Sequence, residues 1–140
     1  LSQQHNTLAL FFSTKLGCEA VYNREIDQIN FNIDIQGHDL PCFVDFKDEG
    51  RLIQMICFLP FEAESDKLGE MARLLNYLNS RIDYPGFALD EKENLIFFRM
   101  VIPYLKKELE ESELAYAFDV FKLNVLTGLK TLEGLDASAS

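Results

Sequence analysis

A chain of 140 residues suits one domain and is long enough to bury a core without metal or disulfides. Its 23 acidic residues against 13 basic ones give a formal net charge of −10, which repels a phosphate backbone unless the Lys and Arg gather on one patch, and they are spread along the whole chain. No apolar run approaches the roughly 18 residues of a membrane span. With no basic stretch ahead of an apolar one at the start, a soluble cytoplasmic protein with no nucleic-acid or membrane partner is expected.

Ser2 or Asn6 can cap a first helix whose apolar stripe is Leu8, Phe11, Phe12 and Leu16, stopped at Gly17. Ala20-Val21-Tyr22 reads as a short strand and Asn23-Arg24-Glu25 as a turn. The clearest strand follows, because Ile29, Phe31, Ile33 and Ile35 alternate with Asn30, Asn32, Asp34 and Gln36. Gln36-Gly37-His38-Asp39 supplies turn residues, after which Leu40, Cys42, Val44 and Phe46 continue the alternation. From Leu52 to Phe61 the pattern changes: Leu52, Ile56 and Phe58 stand at one parity and Ile53, Met55, Cys57 and Leu59 at the other, so this strand is apolar on both sides until Pro60 closes it.

Ser65 is placed to cap a helix running to Ile82, with Leu68, Met71, Leu75, Leu78 and Ile82 on one stripe. Tyr84-Pro85-Gly86 turns it into a hairpin whose own turn is Asp90 to Asn94 and whose second strand, Leu95 to Ile102, is again apolar at both parities, so that something must cover its second face. Leu105 to Glu111 reads as a charged connection. The longest helix then carries Leu114, Phe118, Phe121, Val125, Leu129 and Leu132 at helical spacing, with Ser112 as cap and acidic residues where the helix dipole favours them. Gly128 is expected to weaken its last turn, and Tyr116, Val120 and Leu123 form a second stripe off the core. Residues 1–135 thus form one domain, and 136–140 a frayed polar tail.

The expected fold class is α+β: helix, three-stranded antiparallel meander, helix, β-hairpin and long C-terminal helix, with one antiparallel sheet and the helices mainly on one face. That order resembles the YbjN family of bacterial proteins, together with Leu74-Leu75-Asn76-Tyr77-Leu78-Asn79 leading to Gly86-Phe87-Ala88-Leu89-Asp90, the strand from Leu95 to Ile102, and Asn124-Val125-Leu126 in the final helix. The resemblance spans nearly the whole chain. It implies a fold similar to type III secretion chaperones, dimerisation and a non-enzymatic regulatory role. Its motifs are structural, so it carries over no catalytic residue.

The residues themselves agree. His38 precedes Cys42 by four positions, but turn chemistry accounts for it, and His5 in the first helical turn reads as solvated. Acidic residues near strand ends match no calcium loop, the glycines form no phosphate-binding pattern, and Cys18, Cys42 and Cys57 lack any zinc or redox spacing and read as buried free thiols. No catalytic, cofactor-binding or metal site is therefore expected. What stands in surplus is apolar area. Ile53, Met55 and Cys57, Ile96, Phe98 and Met100, and Tyr116, Val120 and Leu123 are the candidate residues for homodimer formation or for docking a protein partner. The function expected is a non-enzymatic, protein-binding regulatory or adaptor domain; the alternative is a secretion chaperone holding an extended segment of a secreted protein.

Overall fold

The computed structural model describes residues 2–104 and 110–139, so residues 105–109 of the connection read at Leu105 to Glu111 and the last residue, Ser140, lie outside the described residues, and Glu111 belongs to the final helix. Alternation in the first half folds as a meander: β1 (Val21–Asn23), β2 (Gln28–Ile35), β3 (His38–Lys47) and β4 (Leu52–Glu62), preceded by α1 (Ser2–Thr14). After α2 (Leu68–Ser80), the hairpin β5 (Phe87–Asp90) and β6 (Leu95–Pro103) adds β6 to β4, and α3 (Glu111–Ala139) returns across the sheet. The result is an α+β domain with one six-stranded antiparallel sheet in the order β1-β2-β3-β4-β6-β5.

All three helices pack on the same face. The predicted α3 stripe, Leu114, Phe118, Phe121, Val125, Leu129 and Leu132, is buried throughout. It meets Phe12 from α1 and Phe31 and Phe98 from the sheet, where Phe118 lies 5.4 Å from Phe12 and Phe121 lies 5.6 Å from Phe98. Burial of several full aromatic side chains, each of which stabilises by roughly 1.5–3 kcal/mol, makes this contact the centre of the fold. Among the described residues, no helix is long and apolar enough to cross a membrane.

Several boundaries differ from the expectations. The β2–β3 turn needs only Gln36 and Gly37, both at positive φ (52° and 84°) as a two-residue hairpin turn requires, so His38 opens β3 and is not a turn residue. Pro60 does not end β4, which continues through a register shift to Glu62. Ser65 caps nothing: it lies in a short 3-10 turn, its hydroxyl accepts a bond from Asn94, and α2 begins after Lys67. At the other end α3 runs on to Ala139, through the segment read as a polar tail, and Gly128 falls well inside it.

The sheet edge at β5 is closed by a side chain. Phe87 turns its backbone N–H and C=O away from β6, and the Asn79 amide meets both, accepting from the N–H at 2.6 Å and donating to the C=O at 3.0 Å. One amide thus replaces a neighbouring strand and ties α2 to β5. Asn79→Ala removes both bonds and leaves a partly buried N–H unsatisfied, so chemical denaturation should register a loss of about 2 kcal/mol.

Candidate protein-binding surface

Strand parity decides what the sheet offers to partners. Ile53, Met55 and Cys57 on β4, and Ile96, Phe98 and Met100 on β6, face the helices and are buried. These six are core, and the expectation that they form a docking surface is corrected: the cover demanded by the doubly apolar strands is supplied, for this parity, by α3. Tyr116 and Leu123 do lie off the core, 67% and 61% exposed on the outer side of α3, with Val120 half-buried beside them.

The opposite parity makes the face that, among the described residues, no helix covers. Phe43 on β3 is the register partner of Ile56 on β4, and Phe58 on β4 is the partner of Phe97 on β6. Their rings form a row, with Phe58 6.1 Å from Phe43 and 6.1 Å from Phe97. Ile56 is nearly buried in their midst, whereas the three phenylalanines are half-buried. Beside the row a polar chain crosses three strands: Arg99 Nε donates to Gln54 Oε1, and Gln54 Nε2 donates to Asp45 Oδ1 at 3.0 Å. Burial pushes the Asp45 carboxyl above its ordinary value, against the opposing pull of the Lys47 ammonium 3.8 Å away and of the bond from Gln54. Sequence carried the signal for this face. At one parity β4 and β6 are interrupted by Gln54 and Arg99, and at the other they are unbroken.

Elsewhere the geometry revises single residues. His5 is buried, 1% exposed, stacked on Tyr22 at 4.5 Å and edge-on to Phe46 at 4.9 Å, with Asp27 Oδ1 3.6 Å from Nε2. The expectation of a solvated His5 fails because α1 lays this position directly on β1 and β3. His38 meets Glu133 at 2.7 Å, joining the tip of the β2–β3 hairpin to α3. All three cysteines are free and buried. A cavity of about 240 Å³ opens between Tyr84, Tyr116 and Glu113 over Met100 and Ile102. Among the described residues no group of His, Cys, Asp or Glu is placed to hold a metal ion.

Residues 14–133 match the model of the YbjN family, described as "Putative bacterial sensory transduction regulator". The chain belongs to the YbjN family. No curated protein matches it. Among solved structures, a crystal structure of YbjN from E. coli, titled as a putative transcription regulator, superposes with a TM-score of 0.64 at 12% identity, covering 91% of this chain and 93% of that one. At that identity the likeness establishes fold. In this YbjN domain the segments that carried the resemblance are the ones that build the β5 edge and the α3 contact: Asn79 clamps Phe87, and Asn124 Nδ2 donates to the Tyr84 carbonyl at 3.4 Å.

Proposed function

We propose that this YbjN domain is a non-enzymatic, protein-binding regulatory domain that self-associates, and that the uncovered sheet face is the surface it uses. The observation that supports this most directly is the row Phe43, Phe58 and Phe97 around Ile56 on a face that none of the described helices covers, with Arg99 at its margin. Aromatic rings beside an arginine are the composition of interface hot spots, and apolar patches of this kind are uncommon on monomers unless they serve binding. The family description as a regulator of sensory transduction, and the neighbour's title as a transcription regulator, support a regulatory role. Net charge of −10 favours protein over nucleic acid as the direct contact.

A second reading places the contact on α3, and the exposure of Tyr116 and Leu123 favours it. Sedimentation velocity separates the two. Wild type should sediment as a dimer, Phe58→Asp as a monomer with an unchanged far-UV spectrum, and the double variant Tyr116→Asp with Val120→Asp as wild type. If the α3 variant alone dissociates, the interface lies on the helix. A wild type that stays monomeric at every concentration overturns self-association.

A further inference from the structure

Cys42 on β3 and Cys57 on β4 are register partners. Whether such a pair can be bridged depends on its place in the ladder, because opposed residues alternate between hydrogen-bonded sites and non-hydrogen-bonded ones in which the side chains lie closer. Gly86 and Arg99 exchange both backbone bonds at 2.9 Å, so Arg99 turns its N–H and C=O toward β5 and its neighbour Phe98 turns them toward β4. There the partner of Phe98 is Cys57, which therefore directs its own backbone groups at β6 and none at β3. The bond from Tyr104 N–H to the Arg51 carbonyl, an even number of residues along both strands, obeys the same alternation. Cys42 and Cys57 thus occupy a non-hydrogen-bonded site, where Cα atoms approach to about 4.5 Å. Disulfides span Cα separations of about 4.4–6.8 Å.

We infer that Cys42 and Cys57 form an oxidisable pair, a cross-strand disulfide site built into the middle of the sheet. Both side chains face the helices and both are buried, the Cys42 thiol donating to the Leu40 carbonyl at 3.7 Å and the Cys57 thiol to the Phe58 carbonyl at 3.8 Å. Closure removes one hydrogen from each thiol as the Sγ–Sγ bond forms, and the two electrons and two protons pass to an oxidant such as a hydroperoxide, which leaves as water and alcohol, or a diazene, which becomes a hydrazine. The neighbouring Cys57 thiol and burial push the Cys42 thiol up, so thiolate is scarce and closure is slow beside that of an exposed thiol. Cys18 precedes β1, belongs to no strand and has no register partner, which leaves it as the single reduced thiol. Phe43 and Ile56 are the next pair along the same strands, so the bond stiffens the strand pair that also carries the uncovered face.

The test is to treat the reduced full chain with diamide under native conditions for a day, alkylate what remains with iodoacetamide, and map the peptides by mass spectrometry. One alkylated cysteine, Cys18, and a peptide joining Cys42 to Cys57 are expected. Cys18→Ser should close the same bond, and Cys57→Ser should form no intramolecular bond. The oxidised chain should melt above the reduced one, because a loop of about 15 residues is closed in the unfolded state as well. Three alkylated cysteines after treatment, a disulfide that includes Cys18, or a lowered melting temperature would each overturn the inference, the last because it means that the sheet has to distort to accept the bond.

Discussion

Aspartate in place of Met55 is expected to abolish folding at neutral pH, whereas aspartate in place of Phe58, three residues along the same strand, leaves the chain folded. Met55 is 0% exposed, on the central strand and under the helices, opposite Val44 on β3 and Met100 on β6. A carboxylate there has no partner and no water, and an unpaired buried charge costs on the order of 5 kcal/mol or more, comparable to the roughly 5–15 kcal/mol that holds a domain together. Burial favours the neutral acid, so the folded-state pKa of the new carboxyl is raised. The variant is therefore most stable in acid and loses stability as pH rises through about 4, where an unfolded aspartate ionises. Phe58 is half-buried on the uncovered face, and its replacement costs about 1 kcal/mol of lost ring contacts. Circular dichroism during urea titration at acid and neutral pH separates the two outcomes.

That contrast also marks what could be read from the residues. The α3 stripe, the alternation of β2 and the order of elements were legible because each rests on a single periodicity that burial then obeys. The sidedness of β4 and β6 was harder, since both parities are apolar and alternation alone cannot choose between them. Interruption by Gln54 and Arg99 is the signal that separates them, and the choice of Ile53, Met55 and Cys57 passed over it: the parity that carries an amide and a guanidinium is the one turned away from the helices. His5 was missed for a related reason. Position in a first helical turn says nothing about which face of the helix lies on the sheet, and Tyr22, Phe46 and Asp27, which receive the imidazole, come from distant parts of the chain. Ser65 and Pro60 were assigned by local propensity, which tertiary pairing overrode: Glu62 pairs with Leu95 beyond the irregularity, and Asn94 takes the serine hydroxyl.

Gly128 supplies the other large expected effect, and here propensity points the wrong way. An isolated glycine in a long helix costs about 1 kcal/mol relative to alanine, so a substitution there should stabilise α3 if the helix were all that mattered. In the folded chain a Cβ at Gly128 would meet Phe87 Cζ at 2.6 Å. The ring cannot easily give way, because Phe87 is buried, packs on Phe98 at 4.9 Å, and has its backbone held by the Asn79 amide. Glycine is therefore what lets α3 lie against β5. Gly128→Ala should lose about 1–2 kcal/mol after its helical gain is counted, and Gly128→Val, with two further methyl groups and a stiff branch at Cβ, about 3 kcal/mol or more. Gly134→Ala in the same helix, where no atom of the described residues lies within 4 Å of the added carbon, should instead gain up to about 1 kcal/mol. Shortening the ring with Phe87→Leu should recover part of the Gly128→Ala loss, so that the double variant is more stable than the two single losses added together. Urea midpoints at constant slope measure all of these. Additive losses, or a Gly128→Ala variant more stable than wild type, would show that the ring moves freely and that the close approach of α3 to β5 is not what fixes this glycine.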